Sequence, residues 1–116
     1  MGEQKSIFKK IIDREIPADI VYEDERCLAF RDIDPKAPVH VLLIPKQEVT
    51  NVASLTDADQ DLAGHLLLTV GRIAKQLGVD QTGYRVVANC GRHGGQSVDH
   101  LHFHILAGRQ LAWPPG

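Results

Sequence analysis

In Asp99-His100-Leu101-His102-Phe103-His104-Ile105-Leu106, polar and apolar side chains alternate at every step from His100 to Ile105. Successive side chains on a β-strand point to opposite faces, so the pattern predicts a strand from about Asp99 to Leu106. Leu101, Phe103 and Ile105 form one face, which must meet the core. His100, His102 and His104 form the other, at intervals of about 6.6 Å for a rise of about 3.3 Å per residue. A single histidine on a strand is ordinarily a surface or satisfied core residue. Three in register on one face call for a chemical explanation.

The row suits two chemistries. Neutral imidazole is a common zinc ligand. However, zinc holds nitrogen at about 2.0–2.1 Å, and the outer pair lies about 13 Å apart along an extended backbone. A metal site would therefore need two neighbours plus a histidine from another strand, and His40 is available. Nucleophilic catalysis uses the row more directly. An imidazole with an ordinary pKa near 6.5 is largely neutral at pH 7. If an acceptor pins one ring N–H, the other nitrogen presents its lone pair. Flanking histidines can then contact phosphate oxygens and assist a leaving group. The central His102 is the expected nucleophile.

The segment Asn89-Cys90-Gly91-Arg92-His93-Gly94-Gly95-Gln96-Ser97 delivers the chain to this strand. Its glycines permit backbone N–H groups to turn toward an anion. It is not a P-loop, because no G-x-x-x-x-G-K-[ST] is present. Ser97 lacks the second glycine of a nucleophile elbow, so a leaving-group hydrogen bond or a turn contact suits it better. Cys90 reads as an inert thiol and Arg92 as a solvated loop charge, while His93 and His65 read as surface residues.

Outward from there, Ser6 is expected to cap a short helix to about Asp13 with Ile7, Phe8, Ile11 and Ile12 as its stripe. Pro17 ends that run. Ile20 to Tyr22 and Cys27 to Phe30 read as strands around the turn Asp24-Glu25-Arg26. A Pro-containing loop, Asp32 to Pro38, leads into a largely buried strand from Val39 to Ile44, stopped by Pro45. Thr56 begins the clearest helix, with Thr56 and Asp59 resembling a capping box. Leu62, Leu66, Val70, Ile73 and Leu77 repeat at helical spacing until Gly78. Tyr84 to Asn89 is a further strand. About five strands and two helices, with helices inserted at only two points, imply an α+β fold with an antiparallel sheet.

The 116 residues fit one domain, with a polar N-terminal stretch at 1–5. The hydrophobic fraction of 43% and charged fraction of 24% are ordinary for a globular chain. A net charge of −2 with no basic block argues against broad nucleic-acid binding. No apolar stretch matches a signal peptide or membrane span. Cys27 and Cys90 lack metal-type spacing and suggest free thiols. The expected setting is the cytoplasm.

Taken together, Gly94-Gly95-Gln96-Ser97-Val98-Asp99-His100-Leu101-His102-Phe103-His104-Ile105-Leu106 resembles the signature of the histidine triad (HIT) superfamily. Gly108-Arg109-Gln110 and Trp113-Pro114-Pro115-Gly116 narrow the likeness to its nucleotide-binding branch, the purine nucleoside phosphoramidases. His40-Val41-Leu42-Leu43-Ile44-Pro45-Lys46, Asp32-Ile33 and Ile7-Phe8 extend it over nearly the whole chain.

The resemblance implies that His102 forms a nucleotidyl-histidine intermediate that water hydrolyses. His100 would orient it, His104 would contact phosphate, and His40 would support the cluster. Ser97 and the Gly95 backbone would lie near the leaving group and phosphate, with Asn89 beside them. Asp32 would accept ribose hydroxyls, and Phe8, Ile11, Phe30 and Ile33 would wall the base. The substrates implied are AMP or GMP phosphoramidates and aminoacyl-adenylates, with no cofactor and no resident metal.

The branch is also dimeric. The resemblance therefore implies a sheet extended across a homodimer, with tail 107–116 and Trp113 reaching the partner's active site. Asp99, Asp34, Arg92, His93 and Ala112 depart from the branch's usual residues, and none of them removes a catalytic group. Two other functions fit the same residues: a nucleotide-binding adaptor with little turnover, and a nucleotidyl transferase or dinucleotide hydrolase.

Overall fold

The sheet forms because five short apolar runs pair edge to edge and both of its faces find a cover. The structure, a computed structural model, describes residues 4–116; of the N-terminal stretch expected to be polar, 1–3 lie outside the described residues. In chain order the elements are α1 (Ile7–Ile12), β1 (Ile20–Glu23), β2 (Cys27–Arg31), β3 (Val39–Pro45), α2 (Gln60–Gln76), β4 (Tyr84–Val87) and β5 (Phe103–Ala107). The strand order is β1-β2-β3-β5-β4, and every neighbouring pair is antiparallel. The architecture is the expected α+β one. Among the described residues no helix is long and apolar enough to cross a membrane.

The two faces carry separate cores. Cys27, Ala29, Val41, Leu43, Leu101, Phe103 and Ile105 meet Leu62, Leu66, Val70 and Ile73 of α2. Leu28, Phe30, Leu42 and Ile44 face the other way and meet Phe8 and Ile11 of α1. Cover on both faces explains why β2 and β3 read as nearly continuous apolar runs. A strand with one wet face would have alternated.

Local signals set the helix ends. The Ser6 side chain accepts the Lys9 N–H at 3.0 Å and caps α1. Thr56 and Asp59 form the expected capping box, but it closes a single 3-10 turn, Asp57–Asp59, and α2 starts one residue later. Gly78, at φ +72°, stops α2 in a conformation that costs other residues a Cβ clash.

Two expected bounds shift. The strand expected from Asp99 begins only at Phe103, and the one expected to reach Asn89 ends at Val87. Residues 98–100 bend instead, and the Leu101 N–H bonds to the Val49 carbonyl at 2.6 Å, outside the sheet. Pro45 belongs to β3 as its last residue; its carbonyl remains free to accept, whereas it has no N–H to give.

Leu66 is fully buried on α2, so Leu66→Ala should lower unfolding free energy by about 2–5 kcal/mol in urea titrations. Lys75→Ala, on the exposed face of the same helix, should stay within about 0.5 kcal/mol. Similar losses for the two would contradict the assignment of the buried face.

Candidate active site

The histidines occupy the α1 side of the sheet, where the apolar core opens into a cleft. Leu101 and Phe103 turn to α2, and the Phe8 ring of α1 lies edge-on to His102 at 4.9 Å and to His100 at 6.2 Å. The alternation read from sequence therefore holds through the bend, although only His104 lies inside the strand. Bending also draws the rings together: the His102 and His104 centroids are 5.0 Å apart. His40 on β3 sits opposite Leu106, and Leu42 sits opposite His104, so His40 and His104 are diagonal neighbours on one face.

Backbone partners decide the tautomers, because a carbonyl only accepts and an amide N–H only donates. His102 Nδ1 lies 2.7 Å from the His100 carbonyl and must carry a hydrogen. In the neutral ring Nε2 then holds the lone pair. His100 Nε2 donates to the Pro45 carbonyl at 2.8 Å. On the adjoining strand the Lys36 N–H donates to His40 Nδ1 at 3.0 Å, which leaves the hydrogen on His40 Nε2. That hydrogen points to His104 Nδ1 at 2.9 Å, so His104 carries its own hydrogen on Nε2. Toward the cleft, which His102 and His104 line and His100 does not, the cluster thus offers one lone pair, at His102, and one N–H, at His104.

Burial keeps the supporting rings neutral. Desolvation pulls His104 down to about 4, and the neighbouring His102 and His40 add to the effect. Burial likewise holds His40 and His100 below the usual histidine range.

The cleft has a volume of about 290 Å³. Phe8, Ile11, Phe30, Leu42 and Val98 supply apolar wall, and Asp32, Ser97, His102 and His104 supply polar atoms. Asp32 serves two ends. Its Oδ1 accepts the Asp34 N–H at 2.8 Å and closes a local turn, while Oδ2 lies 3.5 Å from His40 Nε2. Ile33 also lines the cleft although it is 97% exposed, which places it at the rim.

Other expected site residues lie elsewhere. Asn89 and Gly95 are not among the residues that line the cleft. The glycine loop, whose glycines permit N–H groups to turn toward an anion, spends several of those N–H groups inside a closed turn. Gly95 donates to the Arg92 carbonyl, Gln96 to the Gly91 carbonyl, and Gly91 to the Gln96 side chain. Gly94 is there for space: a Cβ would sit 2.6 Å from the Cys90 carbonyl oxygen. Trp113 is 80% exposed and away from the cleft of its own chain.

Two residues carry more structure than their sequence context indicates. His65 is not a free surface group; its Nε2 meets Asp24 Oδ2 at 2.7 Å and ties α2 to the β1–β2 turn. Gln96 has no motif that marks it, yet its amide makes four hydrogen bonds. The only hint was its position between a glycine turn and Ser97.

Among the described residues, two groups of three bring metal-ligand atoms within 4.8 Å of one another. One is Asp32, His40 and His104, which differs from the all-histidine set considered from sequence and leaves out His102. The other is Asp24, Cys27 and His65. There Asp24 already accepts from the Arg26 and Cys27 N–H groups, the Tyr22 hydroxyl and His65, which makes it a turn clamp.

The HIT domain family matches residues 13–111. The chain belongs to the HIT family. A HIT-like protein of Synechococcus elongatus, itself uncharacterised, is 62% identical over 113 residues, covering 97% of this chain and 98% of that one. This HIT protein also superposes on a HIT family hydrolase from Legionella pneumophila with a TM-score of 0.94 at 45% identity, covering 97% and 100% of the two chains. A histidine triad nucleotide-binding protein from Candida albicans gives 0.81 at 35% identity, covering 95% and 83%.

Two measurements check the site. Long-range proton–nitrogen NMR at neutral pH should find His102 protonated on Nδ1 and both His40 and His104 on Nε2; an Nε2-protonated His102 would contradict the arrangement. Stability should also depend on acid. His104 titrates near 4 when folded against 6.5 for the free side chain, so between those values the unfolded chain binds more protons. Unfolding free energy should therefore fall as pH drops from about 6.5 to about 4, and His104→Asn should flatten that slope.

Proposed function

We propose that this protein hydrolyses the P–N bond of purine nucleoside phosphoramidates, releasing AMP or GMP through a nucleotidyl-histidine on His102. The observation that carries this reading is the hydrogen bond from His102 Nδ1 to the His100 carbonyl, which leaves the Nε2 lone pair in a cleft shared with Asp32, Ser97 and His104. The family's hydrolase and nucleotide-binding members agree with it.

In the proposed reaction Nε2 of His102 bonds to phosphorus as the P–N bond breaks. The N–H of His104 meets the phosphate oxygens, where negative charge concentrates. The departing nitrogen takes a proton at the Ser97 hydroxyl and leaves as the free amine. Water then attacks phosphorus, releasing the monophosphate and restoring the imidazole and the hydroxyl. Asp32 accepts the ribose hydroxyls, and Phe8, Ile11, Phe30 and Ile33 hold the base by apolar contact. His40 fixes His104 from the neighbouring strand, and aminoacyl-adenylates would fit the same path.

Incubation with an AMP–alkylamine conjugate should release AMP, and intact-mass analysis during turnover should find a nucleoside-monophosphate adduct on His102. His102→Ala should lose about a thousandfold or more in rate. Unchanged turnover in that variant would overturn the mechanism, and tight AMP binding without turnover in the wild type would favour an adaptor.

A homodimer belongs to the same proposal. β4 is an outer strand with Tyr84 and Val86 exposed, α2 exposes Leu67 and Leu68, and Trp113 is uncovered. Light scattering should give twice the chain mass, and Val86→Lys should shift it toward the monomer; a monomeric wild type would refute the assembly. The free thiols of Cys27 and Cys90 support a reducing, cytoplasmic setting.

A further inference from the structure

A glutamine amide offers two acceptor lone pairs and two N–H donors, and at Gln96 all four are used. Oε1 accepts the Gly91 N–H at 2.9 Å and the Asn51 Nδ2–H at 3.1 Å. Nε2 donates to the Thr50 carbonyl at 2.7 Å and the Val98 carbonyl at 3.0 Å. The amide orientation follows from its backbone partners, since an N–H must face Oε1 and carbonyls must face Nε2. One half-buried side chain thus joins three separate stretches of backbone, at Thr50, Gly91 and Val98. A second tie runs parallel to it, from the Leu101 N–H to the Val49 carbonyl at 2.6 Å. Asn51 is itself held, by the Ser54 hydroxyl at 3.2 Å.

Ser97 lies between the two ends of this clasp. Among the described residues its hydroxyl has no hydrogen-bond partner, and it lines the cleft beside His102 and His104. Neither strand nor helix fixes it, because residues 96–102 fall outside both. Its position is therefore set by the backbone on either side, which Gln96 grips at Val98 and at Gly91.

We infer that Gln96, with Asn51 as its anchor, is a positioning residue that holds the Ser97 hydroxyl at the leaving-group side of the cleft. The role presupposes the phosphoramidate hydrolysis proposed above. It is distinct from it in one respect: the clasp should matter in proportion to how much help the leaving group needs. An alkylamine is a poor leaving group and needs the proton that Ser97 delivers. A p-nitrophenolate leaves without one.

Kinetics of Gln96→Ala on two AMP derivatives, an alkylamine conjugate and a p-nitrophenyl ester, test the inference. Misplacing a reacting group by about 1 Å costs roughly a hundredfold, so kcat for the alkylamine should fall by about that factor while the ester loses no more than about threefold. AMP affinity, set by the base and ribose contacts, should stay within about twofold of wild type, because no group that binds the nucleoside is altered.

Gln96→Glu keeps the acceptor but places a carboxylate against two carbonyls, so it should be no better than the alanine variant. Asn51→Ala removes one of the four hydrogen bonds to Gln96, along with the Ser54 contact, and should show the same leaving-group dependence at roughly a fivefold loss. It also serves if Gln96→Ala melts too low to assay. The Asn51→Ala/Gln96→Ala double variant should be no slower than Gln96→Ala alone.

Equal slowing of both substrates, or no slowing of either, in an active protein would overturn the positioning role and leave the hydrolase reading standing. A wild type that turns over neither substrate would overturn both.

Discussion

The hydrogen bond from His102 Nδ1 to the carbonyl of His100 organises the rest of the site. A carbonyl cannot donate, so the bond dictates which nitrogen of His102 is bare. It is possible only because the chain bends before β5, since in a straight strand a side chain stands clear of the carbonyl two residues back. The bend in turn requires anchors outside the sheet, and the Val49 carbonyl and the Gln96 amide provide them. His40 and His104 form a second, separately anchored line that ends on an N–H. A nucleophile and a donor therefore face one cleft without any charged histidine being needed, and burial keeps His40 and His104 in that neutral form.

Covering both faces of a five-stranded sheet has a chemical effect as well as a structural one. α2 seals the Leu101 side with long aliphatic residues. α1 is only six residues long and covers part of the other side, leaving space between its Phe8–Ile11 face and the histidines. The same apolar side chains thus serve as core toward the sheet and as wall toward the cleft. Asp32 is similarly divided, with one oxygen spent on its turn and the other turned toward His40.

Much of the fold was legible because its signals are periodic. The spacing from Leu62 to Ile73 specified α2, and the alternation from Leu101 to Ile105 specified a face. Cys27–Phe30 and Val39–Ile44 read as buried strands because they are apolar at nearly every step. The histidine cluster was legible for the same reason, whereas the residues given roles by family likeness needed more than periodicity. What escaped were contacts between segments distant in sequence. No local pattern links His65 to Asp24, or Gln96 to Thr50 and Asn51. The glycine turn shows the same limit: glycine content reports freedom of the backbone and does not say which acceptor each N–H will find.

The bond between His40 and His104 spans 64 residues, and β3 and β5 lie side by side at the middle of the sheet. Contacts of such long range form only after the intervening chain has been brought into place, which is a slow step in folding. Until then β3 has an open edge, and His40 and His104 lack the burial that keeps them neutral. The line from His40 to His104 exists only once β3 and β5 have paired. The donor half of the site thus depends on completing the sheet, whereas the His102 bond to the His100 carbonyl is local in sequence.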